Sequence, residues 1–180
     1  MREHSLKRAE WIQSVISEQE SPLLGYAMRL LGDLDRARDV VQDTLLKLCS
    51  EDPNRLLDRV RPWLFTVCRN RAIDELRRDQ RFDRLEDAGL DDKPDDGPEP
   101  VVILEHQQAV RNVLRQLGDL PRNQQEVIRL KFIEEFSYEE ISQITGLSVT
   151  NVGFLIHSGL KTIRLEFQKS DQTPALRRIK

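Results

Sequence analysis

Several things are scarce in this chain of 180 residues, and each scarcity excludes a class of protein. Two cysteines occur, Cys49 and Cys68, both inside apolar helical patterns and without a CxxC spacing. A disulfide-stapled secreted scaffold is thereby excluded, and both thiols are expected to be free and buried in a reducing compartment. The three histidines, His4, His106 and His157, are scattered, so spacing assembles no zinc ligand set and no metal is expected. Glycine and proline number 8 each, too few for a collagen-like or low-complexity chain. No apolar run approaches bilayer length, and the opening MREHSLKRAE is charged throughout. Neither a signal peptide nor membrane insertion is expected, and the expected location is the cytoplasm. No Ser-His-Asp or Cys-His set, phosphate loop or metal cluster is visible, so neither an enzyme nor a bound cofactor is expected.

A strong excess of one charge is missing too. The net charge of −3 is unevenly spread: residues 1–82 carry 15 basic and 14 acidic side chains, residues 83–100 carry 2 and 8, and residues 101–180 carry 11 and 9. A chain that gripped DNA unaided would usually be far more basic, so any DNA contact is expected to need help from a partner. The acidity is concentrated in DRLEDAGLDDKPDDGPEP, which holds three prolines and two glycines and reads as an exposed, flexible, self-repelling linker.

What is present is helical pattern. Hydrophobic residues make up 38% and charged residues 33%, and no strand pattern of any length occurs, so the expected fold is all-α. Two small helical domains are expected, at 1–82 and 101–170, joined by the linker at 83–100 and followed by a basic tail at 171–180. Asp33 is placed to cap a helix in which Leu34, Ala37, Val41, Leu45 and Leu48 form the buried stripe. Arg38, Asp39, Gln42, Asp43 and Lys47 fall on its wet side. Pro62 suits the first position of the next helix, with Phe65, Cys68, Ala72 and Leu76 on one face and Asn70, Asp74, Arg77, Arg78 and Arg81 on the opposite arc.

Beyond the linker, an amphipathic helix is expected over about Pro100 to Leu117, and another from near Pro121 that buries Val127, Ile128 and Leu130. Ser137 and Glu140 make an S-x-x-E capping box, Gly146 suits a left-handed helix end, and Ser148 can cap the helix after it. That is the outline of a helix-turn-helix. Projecting its second helix at 3.6 residues per turn puts Val149, Val152, Ile156, Leu160 and Ile163 inward. Thr150, Phe154, His157, Ser158, Lys161 and Arg164 project outward.

Three segments in this order resemble a known family. ARDVVQDTLLKL, RPWLFTVCRNRAIDELRR and LPRNQQEVIRLKFIEEFSYEEISQITGLSVTNV are similar to segments of bacterial sigma factors, and the short two-domain chain resembles the extracytoplasmic-function (ECF) group of the sigma-70 family. The resemblance implies a factor that binds core RNA polymerase and directs promoter-specific initiation. It implies that Asp39, Gln42 and Asp43 dock on the β′ clamp helices, with the β flap as a further polymerase contact. It implies that Asn70 serves a pocket for a flipped base of the minus-ten element, with Arg69, Arg71, Arg77 and Arg78 near phosphates and Asp74 either a further minus-ten residue or an ion-pair partner of Arg77 or Arg78. The second helix of the helix-turn-helix is then the reader of the minus-thirty-five element, through Ser148, Thr150, Asn151, Phe154, His157, Ser158, Lys161 and Arg164. Many relatives read something like V-K-S-R-L-x-R-A along Val152–Gly159, where this chain has VGFLIHSG, so two or three cations are missing there. The family also implies an anti-sigma protein as regulator and a monomer when free. Two other functions stay open at this point: a sigma-like decoy that sequesters an anti-sigma factor, and a stand-alone helix-turn-helix regulator. The acidic linker has two readings, a nucleic-acid mimic in the polymerase's basic channel and a solubilising tether.

Overall fold

The computed structural model describes residues 2–56, 59–86 and 117–171, with side chains described over 7–56, 59–78 and 117–168. The described residues contain helices and no strand, and the chain divides into two compact units, Met1–Glu99 and Pro100–Lys180. In the first unit, α1 (Arg2–Leu31), α2 (Leu34–Ser50) and α4 (Val60–Glu86) pack pairwise, with the single-turn α3 (Pro53–Leu56) between the last two. Their shared interior holds Leu23, Ala27, Leu48, Leu64, Phe65, Cys68 and Ala72, each removed from solvent, and the Phe65 ring lies 5.1 Å from that of Tyr26.

The corner between α1 and α2 is built from two local signals. Gly32 takes a left-handed φ of 72°, and its N–H bonds the Met28 carbonyl at 2.9 Å, which ends α1. Asp33 then accepts from the Arg36 N–H at 2.8 Å and starts α2. At the other end of α2, the Arg8 guanidinium of α1 donates to the Cys49 and Glu51 carbonyls at 2.7 and 3.0 Å. Carbonyls at a helix C-terminus lack intrahelical donors, and a cation also suits that end of the helix dipole.

Three expectations for this unit need correction. The buried stripe of α2 is Ala37, Val40, Val41, Thr44 and Leu48. Leu34, at the first helical position, projects to solvent, whereas Thr44 can be buried because its hydroxyl donates to the Val40 carbonyl at 2.7 Å. Cys49 is exposed in the last turn of α2, so Cys68 alone is a buried thiol. Pro62 is the third residue of α4, still inside the first turn, where no N–H is needed.

In the second unit, α5 (Arg122–Phe132), α6 (Tyr138–Thr145) and α7 (Val149–Asp171) enclose Val127, Ile128, Leu130, Phe136, Ile141, Ile144, Val152 and Ile156. The expected helix over about Pro100 to Leu117 lies outside the described residues apart from Leu117. The α6–turn–α7 unit has the capping expected of it. Ser137 accepts from the Glu140 N–H at 3.2 Å while the Glu140 carboxylate accepts from the Ser137 N–H at 2.7 Å. Gly146 is left-handed at φ 73°, and the Ser148 hydroxyl accepts from the Asn151 N–H at 3.2 Å.

Candidate nucleic-acid interface

The outward face of α2 and the outer arc of α4 lie side by side in the first unit. Asp39, Gln42, Asp43 and Lys47 are exposed on α2, and Asn70, Arg71, Asp74, Arg77 and Arg78 are exposed on α4. Arg69 is half-buried, and the side chain of Arg81 is outside the described residues. Helix α4 runs unbroken to Glu86, which keeps the arc from Asn70 to Arg78 on one continuous surface.

The structure joins two groups that the sequence assigns to different tasks. Arg71 of α4 donates to the Asp43 carboxylate of α2 in an ion pair across 28 positions of sequence. Asp43, first through that hydrogen bond and then through its charge, holds the Arg71 guanidinium still more firmly in its charged form. Further along α4, Arg77 pairs with Asp74 at 3.7 Å and Arg78 with Glu75 at 3.5 Å. So Asp74 takes Arg77, and the neighbouring arginine takes a carboxylate that pattern reading leaves out. These pairs are solvent-facing, and such pairs contribute only about 0–1 kcal/mol each.

Asp43, Lys47, Val67, Asn70, Arg71 and Asp74 surround a hollow of about 450 Å³. Asn70 brings to it both a donor and an acceptor on one side chain. Trp63 is half-buried, with the Lys47 ammonium 5.9 Å from its ring centre, and Phe65 belongs wholly to the core. Cys68, behind this surface, has its thiol pushed up to about 12 by burial, a rise partly offset by a hydrogen bond with Thr44. It is a packing residue and too reluctant to ionise to act as a nucleophile.

In the second unit, α7 presents Thr150, Asn151, Phe154, His157, Lys161 and Arg164 to solvent, with Ser158 half-buried. Phe154 is 66% exposed, the most exposed large hydrophobic side chain among the described residues. The inward face differs from the projected one. Val152, Leu155, Ile156 and Gly159 are buried, whereas Val149 and Leu160 are exposed. A Cβ on Gly159 would stand 2.6 Å from Ile128 Cδ1 and 3.3 Å from Leu120 Cδ1, so α7 meets α5 closely there. A Cβ on Gly153 would make ordinary contact with the Tyr138 ring, at 3.5 Å. The departures in VGFLIHSG thus divide: Leu155 and Gly159 serve packing, while Phe154 alters the outer surface.

Among the described residues, no group of three or more His, Cys, Asp or Glu could hold a metal ion, and no helix is long and apolar enough to cross a membrane.

Comparison with known proteins bears on both units. Residues 16–82 match the family described as Sigma-70 region 2, and residues 111–163 match Sigma-70, region 4. The ECF RNA polymerase sigma factor SigL of Mycobacterium tuberculosis is 32% identical over 166 residues, covering 89% of this chain and 91% of that protein. The RNA polymerase sigma factor YlaC of Bacillus subtilis is 28% identical over 169 residues, covering 92% and 94%. Among solved structures, the sigma factor RpoE of Bartonella quintana, crystallised with the anti-sigma factor NepR, shares the fold. Its TM-score is 0.67 at 24% identity, over 91% of this chain and 99% of that one.

Proposed function

Because this chain belongs to the ECF RNA polymerase sigma factors and directs promoter-specific transcription initiation, we propose a division of that task among three of its helical surfaces. The outer face of α2, through Asp39, Gln42 and Asp43, docks on the β′ clamp helices of core RNA polymerase. Carboxylates and an amide held on a rigid helix suit charge-assisted bonds to arginines of a partner. The outer arc of α4 receives the opened minus-ten element, with Asn70 bonding the edge of a flipped base and Arg69, Arg71, Arg77 and Arg78 near the phosphates. Helix α7 enters the major groove of the minus-thirty-five duplex, where Thr150, Asn151, Phe154 and His157 meet base edges and Ser148, Ser158, Lys161 and Arg164 stand close to the backbone. The β flap is the second polymerase contact.

The hollow beside Asn70 is the observation that carries this reading. It pairs a bidentate amide with cations on a surface that solvent reaches. All nucleotide chemistry is left to the polymerase, and the factor acts as a cytoplasmic, non-enzymatic monomer when free. An anti-sigma protein is proposed as its regulator, and the exposed Phe154 offers such a protein an apolar anchor.

Run-off transcription with bacterial core polymerase on a library of promoter fragments tests the division. Selective initiation is expected with the native chain, and Asn70→Ala is expected to lower it by on the order of tenfold or more, as loss of one good base contact does. Full activity of Asn70→Ala would remove the pocket from the mechanism.

A further inference from the structure

The ion pair between Asp43 and Arg71 sets two proposed roles against each other. Asp43 is read above as a docking carboxylate and Arg71 as a phosphate contact, yet in the free chain each occupies the other. We propose that the pair is a partner-exchange latch, in which a polymerase cation that takes Asp43 releases Arg71 for DNA. The proposal rests on the docking role given to Asp43.

Three observations favour exchange over a fixed strut. Each side chain of the pair is 45% exposed, so a competing cation can approach Asp43 without unpacking either helix. Asp43 and Arg71 line both the hollow beside Asn70 and a second one of about 200 Å³, which also reaches Arg36, Asp39 and Arg78. The pair is therefore open on two sides. Finally, Asp74 and Glu75 also lie close enough to act on the Arg71 charge, so the guanidinium sits in an acidic setting that opposes a phosphate until one carboxylate is withdrawn. A solvent-facing pair is weakly held, which makes the exchange inexpensive once a better-placed partner arrives.

The latch makes a prediction that a strut does not: removing the arginine improves docking. An intramolecular competitor lowers apparent affinity by the fraction of molecules in which the site is free. For a weak surface pair that fraction is about one third, so Arg71→Gln is expected to bind core polymerase about threefold more tightly than the native chain. Asp43→Asn is expected to bind more weakly, and the double variant to match Asp43→Asn. The measurement is competition of unlabelled full-length variants against a fluorescent native chain for bacterial core polymerase, with helicity checked by circular dichroism and Arg71→Ala as a second arginine variant. Weaker or unchanged docking by both arginine variants, alongside weakened Asp43→Asn, would overturn the latch and leave Asp43 as a docking residue. Unchanged docking by Asp43→Asn would overturn both the latch and that docking role.

Discussion

Helices α4 and α7 are both proposed to meet DNA, and they present opposite kinds of surface. On α4 the charges are dense but matched: Arg71, Arg77 and Arg78 each face a carboxylate, from Asp43, Asp74 and Glu75. On α7 the N-terminal half offers Thr150, Asn151, Phe154 and His157, and the cations Lys161 and Arg164 come one and two turns later. Matched cations give little net attraction for phosphate, and a surface with few cations gives little as well. Both helices are therefore better suited to reading DNA than to gripping it. That agrees with the nearly balanced charge on either side of the acidic stretch and leaves the grip to the polymerase.

The largest blow to this comparison falls on the packing that holds the α7 surface in place. Gly159→Val puts two methyl groups beyond a Cβ already 2.6 Å from Ile128, and the expected cost is about 1–3 kcal/mol in chemical denaturation. Gly153→Ala, in the same helix, meets Tyr138 at an ordinary distance and is expected to stabilise by about 0.5–1 kcal/mol through helix propensity. A second loss of about 1 kcal/mol is expected from Ser137→Ala, which removes one half of the capping box that starts α6.

Smaller effects separate the two surfaces by mechanism. In the holoenzyme, Phe154→Ala is expected to weaken promoter binding a few-fold with an unaltered salt dependence, because it carries no charge. Arg77→Ala is expected to reduce the slope of log affinity against log salt, but by less than about one, because Asp74 already offsets part of that charge. Equal slopes for the two variants would erase the distinction between the helices.

A further test concerns pH and only the first unit. Burial raises the Cys68 thiol from 9.0 to about 12, so the folded chain keeps a proton that the unfolded chain releases. The stability tied to that proton is complete below about pH 9 and is lost as pH rises toward 12. Cys68→Ala should flatten this alkaline decline, and at neutral pH a thiol reagent should label exposed Cys49 well before Cys68.

What could be read from the sequence follows the range of the interactions. Asp33, Ser137 with Glu140, Gly146 and Ser148 act within a few residues of themselves, and their signals were visible in the letters. The buried faces were harder. Leu34, Val149 and Leu160 fit the helical spacing yet lie at positions the neighbouring helices do not cover. Thr44 and Gly159 fall on that spacing without an apolar side chain to mark them, yet both are buried, one with its hydroxyl bonded to its own helix and the other where Ile128 and Leu120 press on the backbone. The pairing of Asp43 with Arg71 depends on how α2 and α4 are laid together, and no local pattern carries that information. The exposure of Cys49 likewise depends on how the helices are laid together.

The bare backbone at Gly159 has a consequence for anyone wishing to retarget this factor. Along α7 the positions pressed on the interior, Val152, Leu155, Ile156 and Gly159, interleave with the outward ones, Thr150, Asn151, Phe154 and His157. The outward set can be randomised as a library without disturbing the scaffold. The inward set cannot, and grafting a helix that carries a side chain at 159 would force the ends of this chain's Ile128 and Leu120 to move aside.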